Sequence, residues 1–265
     1  MNKKLGFIGC GKMASAIIKG ISGIDNLKIK GTEINPEIAE SAQTRLGIPV
    51  LTDSKVLAID SDIIFIATKP NQVTQVLEEI KNELTPDKLI VSIAAGVSTE
   101  KIANIIGKQR IIRIMPNTPA LIQEGMFGIC KGSFASDNDL QFIKNLLSKL
   151  GKCIEVTEDK MDIITAISGS GPAFFYKVIE DIARAGEKLG LDYEKSLLLA
   201  TQTALGSAKM VFNRGEVPVQ TLVDNVATKG GCTYEGIKVM NDEKSSDLFY
   251  EVIKKTTIKA NELGK

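Results

Sequence analysis

Two short stretches of this sequence gather backbone amides where an anion can be held. The first is Lys4-Leu-Gly-Phe-Ile-Gly-Cys-Gly-Lys-Met-Ala-Ser-Ala-Ile-Ile-Lys-Gly20. Leu5, Phe7 and Ile8 read as a short buried strand, and Gly9, Gly11 and Ala14 follow as G-x-G-x-x-A. From Lys12 onward Met13, Ala16, Ile17 and Ile21 recur at helical spacing. A strand turning through glycines into a helix leaves the helix's first N–H groups pointing into the turn. With the positive end of the helix dipole they form a seat for a pyrophosphate. Gly9 permits the turn, Gly11 lets a phosphate approach the backbone, and Ala14 lets the helix pack close to the strand. A turn of this kind alone is also compatible with no ligand; the flanking strand and helix favour a dinucleotide. The second stretch, Gly230-Gly231 before an apparent helix from Cys232, is another anion seat, far along the chain.

The elements needed to position these turns are legible around them. Leu27–Thr32 reads as a second strand ending at Glu33, where an acid of this type meets the adenosine ribose of a dinucleotide. Pro36 to Leu46 reads as a helix with Asn35 as N-cap and the proline at its first position. Asp62–Thr68 is a nearly continuous apolar run, as a strand buried on both faces should be. It leads into Lys69-Pro70 and a helix with Val73, Val76, Leu77 and Ile80 on one face. Lys88–Ile93 opens into Ala94-Ala95-Gly96, and Arg110–Met115 ends at Pro116-Asn-Thr-Pro119. A last α/β unit runs from an Asp137 cap through Leu150 to a strand at Cys153–Val156. Strands alternating with helices predict an α/β fold with a Rossmann-like, doubly wound parallel sheet. Gly9–Lys12, Ala67–Pro70, Ala94–Gly96 and Met115–Pro119 should then rim one crevice beyond the carboxyl ends of its strands.

Beyond about Thr157 only helical periodicity remains: Lys160–Leu189, Tyr193–Phe212, Val219–Ala227, Thr233–Met240 and Ser246–Leu263. The expected division is a dinucleotide-binding domain over 1–158 and an all-helical C-terminal domain over 159–265. Inside the first of these helices, Ser168-Gly-Ser-Gly-Pro172 implies a kink or a close backbone approach, or else a break between two shorter helices.

Composition removes several chemistries. The 265 residues include no histidine, which excludes imidazole acid–base catalysis, Ser-His and Cys-His nucleophile pairs and most zinc sites. No metal site is expected. Lys plus Arg number 33 against 32 Asp plus Glu, so charge suggests neither a nucleic-acid nor a membrane partner. Cys10, Cys130, Cys153 and Cys232 form no C-x-x-C pair, which fits a reducing cytoplasm. Cys10 reads as a small residue in the turn, and Cys130 and Cys153 as core positions in apolar strands. The basic, apolar N-terminus is interrupted by Gly9, Gly11 and Lys12, against a signal peptide. The protein is expected to be cytoplasmic.

The pieces Gly6–Ala14, Ala67-Thr-Lys-Pro70, Val91–Val97, Met115–Ala120, Ser168–Ala173, Ala204–Met210 and above all Leu222–Thr233 together resemble the pyrroline-5-carboxylate reductase family, across essentially the whole chain. The resemblance implies NAD(P)H-dependent hydride transfer to the cyclic imine of 1-pyrroline-5-carboxylate, giving L-proline in the last step of its biosynthesis. It implies that Glu216, Gly231, Cys232 and Thr233 hold the substrate. The amides of Gly231 and Cys232 would take its carboxylate, the Thr233 hydroxyl would face the ring nitrogen, and Thr233 and Glu216 would be the catalytic pair. Gly9, Cys10, Gly11, Lys12, Met13, Glu33, Asn35, Ser54, Thr68, Lys69, Pro70, Ala94, Ala95 and Asn225 would bind the cofactor. A homodimer of interleaved helical domains, often five dimers in a decamer, is also implied. Where the family has Ser-Pro-Gly-Gly-Thr/Ala-Thr this chain has Thr228-Lys-Gly-Gly-Cys-Thr233, which should loosen the loop entry at Lys229 while keeping its backbone donors.

The family often uses NADPH, but no cationic residue stands at 34 to 37, and Glu33 would repel a 2′-phosphate. NADH is the expected cofactor, unless the strand ends earlier and Glu33 points to solvent. Two other readings share the plan: a β-hydroxyacid dehydrogenase or reductase of a related cyclic imino acid, and a non-catalytic NAD-binding protein. In the dehydrogenases a lysine stands four residues after the last glycine of a similar helix. That position is Phe175 here, and Lys177 reads as a solvated helix charge.

Overall fold

The computed structural model describes residues 3–263. They form two compact units, one running to Ser170 and resuming at Lys254, the other from Gly171 to Ile253. The first unit is built on a sheet of β1 (Lys3–Ile8), β2 (Leu27–Thr32), β3 (Val50–Leu51), β4 (Ile63–Ile66), β5 (Leu89–Ser92), β6 (Arg110–Met115), β7 (Gly125–Lys131) and β8 (Gly151–Glu155). Its helices are α1 (Lys12–Ile21), α2 (Pro36–Leu46), α3 (Ser54–Asp60), α4 (Val73–Ile80), α5 (Thr99–Ile106), α6 (Asp137–Leu147) and α7 (Met161–Ile164).

Strand order is β3-β2-β1-β4-β5-β6-β7-β8. The order reverses between β1 and β4, the switch point at which sheets of this kind bind ligands. Side chains alternate across it. Leu5, Phe7, Ile63, Phe65, Leu89, Val91, Ile112 and Ile114 pack one way with α1 and α6. Ile8, Ile64, Ile66, Ile90 and Ile111 pack the other way with α3, α4 and α5. Burial on both faces is why these strands read as unbroken apolar runs. Phe7 and Phe65 stack across adjacent strands with ring centroids 4.4 Å apart.

The expected doubly wound parallel sheet holds from β3 through β6 and is corrected only at its far edge. β7 runs antiparallel to β6, and β8 parallel to β7. The link from Met115 to Gly125 holds only a 3₁₀ turn at Thr118–Ile122, too short for the crossover that a parallel strand needs. The N-cap of α6 is also corrected. Ser136 rather than Asp137 closes that helix: its hydroxyl accepts the Asp139 amide at 3.2 Å, while the Asp139 carboxylate accepts the Ser136 amide at 2.9 Å.

Helical character begins after β8, as expected, yet the chain through Ser170 packs as part of the sheet unit. Met161, Thr165 and Ala166 are buried there. The Ser168–Pro172 stretch is neither a smooth kink nor a plain break. Thr165–Gly169 form a π-helical turn, with the Ser170 amide on the Thr165 carbonyl at 2.8 Å. Gly169 answers the close approach: a Cβ on it would lie 2.4 Å from the Met115 methyl carbon.

The second unit begins with α8 (Gly171–Lys188) and α9 (Tyr193–Phe212), followed by α10 (Val219–Val226), α11 (Cys232–Asp242) and α12 (Ser245–Leu263), whose end rejoins the first unit. Asp192 caps α9, and the Tyr193 hydroxyl donates to Glu180 at 2.6 Å while Arg184 lies over the tyrosine ring. The unit exposes large apolar side chains, among them Phe175 at 68%, Leu198 at 70% and Met210 at 65%. So much exposed apolar surface marks an association face rather than a finished exterior.

Candidate active site

The cofactor-side residues assemble at the carboxyl edge of the sheet. The Gly9 amide donates to Thr32 at 3.0 Å, Ala67 to Ile8 at 2.9 Å, and Ile93 to Ile66 at 3.1 Å. The loops after β1, β2, β4 and β5 are thereby tied side by side, as the strand pattern required. Gly9 has φ +93°, a conformation costly to any other residue, and a Cβ there would lie 2.9 Å from the Ala67 carbonyl oxygen. Gly11 faces open space and starts α1 with no side-chain cap, leaving the first amides of the helix free. The Thr68 hydroxyl is buried in the neighbouring loop and has no hydrogen-bond partner among the described residues. Open amides, a cradle kept clear of side chains and an orphaned hydroxyl fit a dinucleotide at this edge.

Glu33 does not point to solvent. β2 ends at Thr32, and the Glu33 carboxylate turns back to accept the Cys10 amide at 2.6 Å. Asn35 spends its side-chain oxygen on capping α2, accepting from Glu37 at 2.9 Å and Ile38 at 3.2 Å. Cys10 is buried, and burial followed by the nearby Glu33 charge pushes its thiol up to about 11, so it is an inert small residue. Ser54 is buried at the first position of α3, whose cap is Asp53. Lys12, Met13, Lys69, Pro70, Ala94 and Ala95 lie in or beside the same loops.

The loop after β5 is anchored from behind by a charge cluster. Glu158 accepts the Thr99 amide at 3.1 Å and its hydroxyl at 2.7 Å, and pairs with the buried Arg113. Burial raises the Glu158 carboxyl, but the Thr99 hydrogen bonds and the Arg113 charge overcome it and leave it below the usual range. Asn117 accepts the Met126 amide at 2.8 Å and reaches Ser168 of the π-turn at 3.5 Å.

In the second unit, Gly231 is the N-cap of α11, which like α1 has no side-chain cap. Cys232 is exposed, Thr233 half-buried, Glu216 lies exposed in the turn between α9 and α10, and Asn225 is exposed on α10. Lys177 pairs with Asp181 one turn along α8, with both side chains more than half exposed. It is a solvated helix charge. Two residues of the site region were not anticipated from sequence, Ser15 and Arg45, which contact the glycine turn from α1 and α2. Neither belongs to a recognisable motif.

A glycine turn between β1 and α1, an acid closing β2 and adjoining loops at the sheet's switch point define an NAD(P)-dependent oxidoreductase of Rossmann type. The sequence is 39% identical to pyrroline-5-carboxylate reductase of Methanosarcina acetivorans, over 100% of this chain and 99% of that one. The chain belongs to the pyrroline-5-carboxylate reductase family. Residues 158–263 match the profile described as pyrroline-5-carboxylate reductase dimerisation, and residues 4–96 match NADP oxidoreductase coenzyme F420-dependent. Among solved structures, the pyrroline-5-carboxylate reductase of Coxiella burnetii is similar with a TM-score of 0.91, 32% identity and 100% coverage of both chains. The pyrroline carboxylate reductase of Plasmodium falciparum with NADP bound has a TM-score of 0.89 at 33% identity, covering 100% of this chain and 99% of that one. Among the described residues no group of three or more Cys, Asp or Glu is placed to hold a metal, and no helix is long and apolar enough to cross a membrane.

Proposed function

We propose that the protein reduces 1-pyrroline-5-carboxylate to L-proline in the cytoplasm, the last step of proline biosynthesis, with NADH preferred to NADPH. The observation that carries the reaction is the pair of helices that open on glycine with no side-chain cap. α1 follows a Rossmann turn, and the Gly231 cap and first residues of α11 close the family's signature stretch. The nicotinamide supplies a hydride; the rest falls to binding and orientation. The amides of Gly231 and Cys232 receive the substrate carboxylate, using the positive end of α11. The Thr233 hydroxyl holds the ring nitrogen, with Glu216 beside the substrate and Asn225 of α10 toward the cofactor. A cyclic imine protonated from solution is already electrophilic, so a chain without histidine loses nothing here. Glu33, fixed by the Cys10 amide, supports the NADH preference by keeping a carboxylate beside the ribose position.

Residues 159–265 serve as the substrate and dimerisation domain and residues 1–158 as the dinucleotide domain. The exposed apolar faces of α8 and α9 support a homodimer formed there, and the family resemblance extends this to five dimers. Light scattering of the purified chain tests both masses, and a monomer would reject the assembly. For the activity, oxidation of NADH and NADPH is followed with pyrroline-5-carboxylate as acceptor. Turnover of a β-hydroxyacid instead, or of neither substrate, would reject the assignment.

A further inference from the structure

We propose that Arg45 is a positioning residue for the dinucleotide turn, holding it by a carbonyl group so that the first amides of α1 stay free for the diphosphate. α2, α3 and α5 are closed by the side chains of Asn35, Asp53 and Ser98, whereas α1 begins at Gly11 with none. A helix whose first amides must meet a ligand cannot spend them on a cap, so the turn needs another restraint.

That restraint comes from the opposite pole of the peptide groups. The Ser15 hydroxyl lies 2.8 Å from the Gly11 carbonyl oxygen and 3.1 Å from that of Cys10. Arg45, in the last turn of α2, donates from Nη2 to the Cys10 carbonyl at 3.0 Å and from Nη1 to the Ser15 hydroxyl at 2.5 Å. At the other end of the same residue, the Cys10 amide is held by Glu33. Beneath it the thiol is wedged against β2, where a Cβ on Gly31 would lie 2.4 Å from the sulfur. Cys10 is therefore fixed at its N–H, its C=O and its side chain by groups from β2 and α2. The planar guanidinium reaches two acceptors at once; a lysine ammonium in its place reaches one with less directional control.

The proposal rests on dinucleotide binding at this turn and is independent of the imine substrate, so binding is titrated by nicotinamide fluorescence with no imine present. R45M should raise Kd for the preferred dinucleotide about tenfold, with R45K falling between it and wild type. In turnover, the cofactor KM should rise while kcat at saturating cofactor stays unchanged. S15A and R45M should be non-additive in cofactor binding, because they share one network. Wild-type affinity in R45M, or a fall in kcat with no change in cofactor KM, would overturn the proposal. Wild-type protein that binds neither dinucleotide would reject the reading of the turn itself, and this inference with it.

Discussion

Replacing Glu33 by glutamine removes the charge at the end of β2 while leaving an oxygen to accept the Cys10 amide now held at 2.6 Å. Replacement by alanine removes both. A ribose 2′-phosphate carries about −1.5 to −2 charge at neutral pH. Two unit charges 4 Å apart interact by about 1 kcal/mol in water and about 4 kcal/mol at an effective dielectric near 20. A half-buried carboxylate beside the ribose should therefore disfavour NADPH by about 1.5–3 kcal/mol, roughly ten- to a hundredfold in kcat/KM. E33Q should shift the NADH-to-NADPH ratio of kcat/KM toward NADPH by that factor with little change for NADH. E33A should make the same shift and also weaken both cofactors, because losing an acceptor that is charged costs a further 1.5–3 kcal/mol or so. Initial rates with each cofactor at fixed imine concentration measure the ratio. A wild type that prefers NADPH severalfold, with a ratio unmoved in E33Q, would refute the electrostatic reasoning. Weakening of both cofactors in E33A, with the ratio unmoved in either variant, would assign Glu33 to holding the turn rather than to reading the ribose.

Thr233→Ala should lower kcat/KM for the imine about tenfold, equivalent to roughly 1.4 kcal/mol of transition-state stabilisation, with cofactor affinity unchanged; wild-type kinetics would remove Thr233 from the reaction. Gly231→Val should abolish imine binding: its first side-chain carbon would lie 3.0 Å from the Thr228 carbonyl oxygen and the branches would crowd the α11 amides, and inhibition by proline measures the loss. Glu158 has a folded-state pKa below its ordinary value of 4.5, so its stabilisation is complete above that pH and is lost as pH falls through the lower, folded value. E158Q should flatten this part of the acid limb in thermal melts. At neutral pH it should cost about 3 kcal/mol, the low end for breaking a buried pair, because Asp162 remains 3.8 Å from Arg113.

How far the sequence reached follows from what each feature depends on. The strands β1, β2, β4, β5 and β6 and the helices α2, α4 and α9 were legible because burial on two faces, or on one stripe, imprints a local pattern. The Asn35 cap and the glycine turn were legible for a related reason: their chemistry lies within a few consecutive residues. The reversal of β7 was not, since it depends on how far nine residues between β6 and β7 can travel rather than on their types. The π-turn likewise took shape from the close meeting of Gly169 with Met115, residues far apart in the chain. The sequence by itself pointed to the reaction class, through the resemblance that its motifs from Gly6–Ala14 to Leu222–Thr233 bear to the pyrroline-5-carboxylate reductase family. Only the tertiary structure decided that Glu33 turns inward onto Cys10 and that Arg45 grips the far side of the same peptide. A lone glutamate and a lone arginine carry no periodic signal, and their partners are set by the docking of β2 and α2 against the turn.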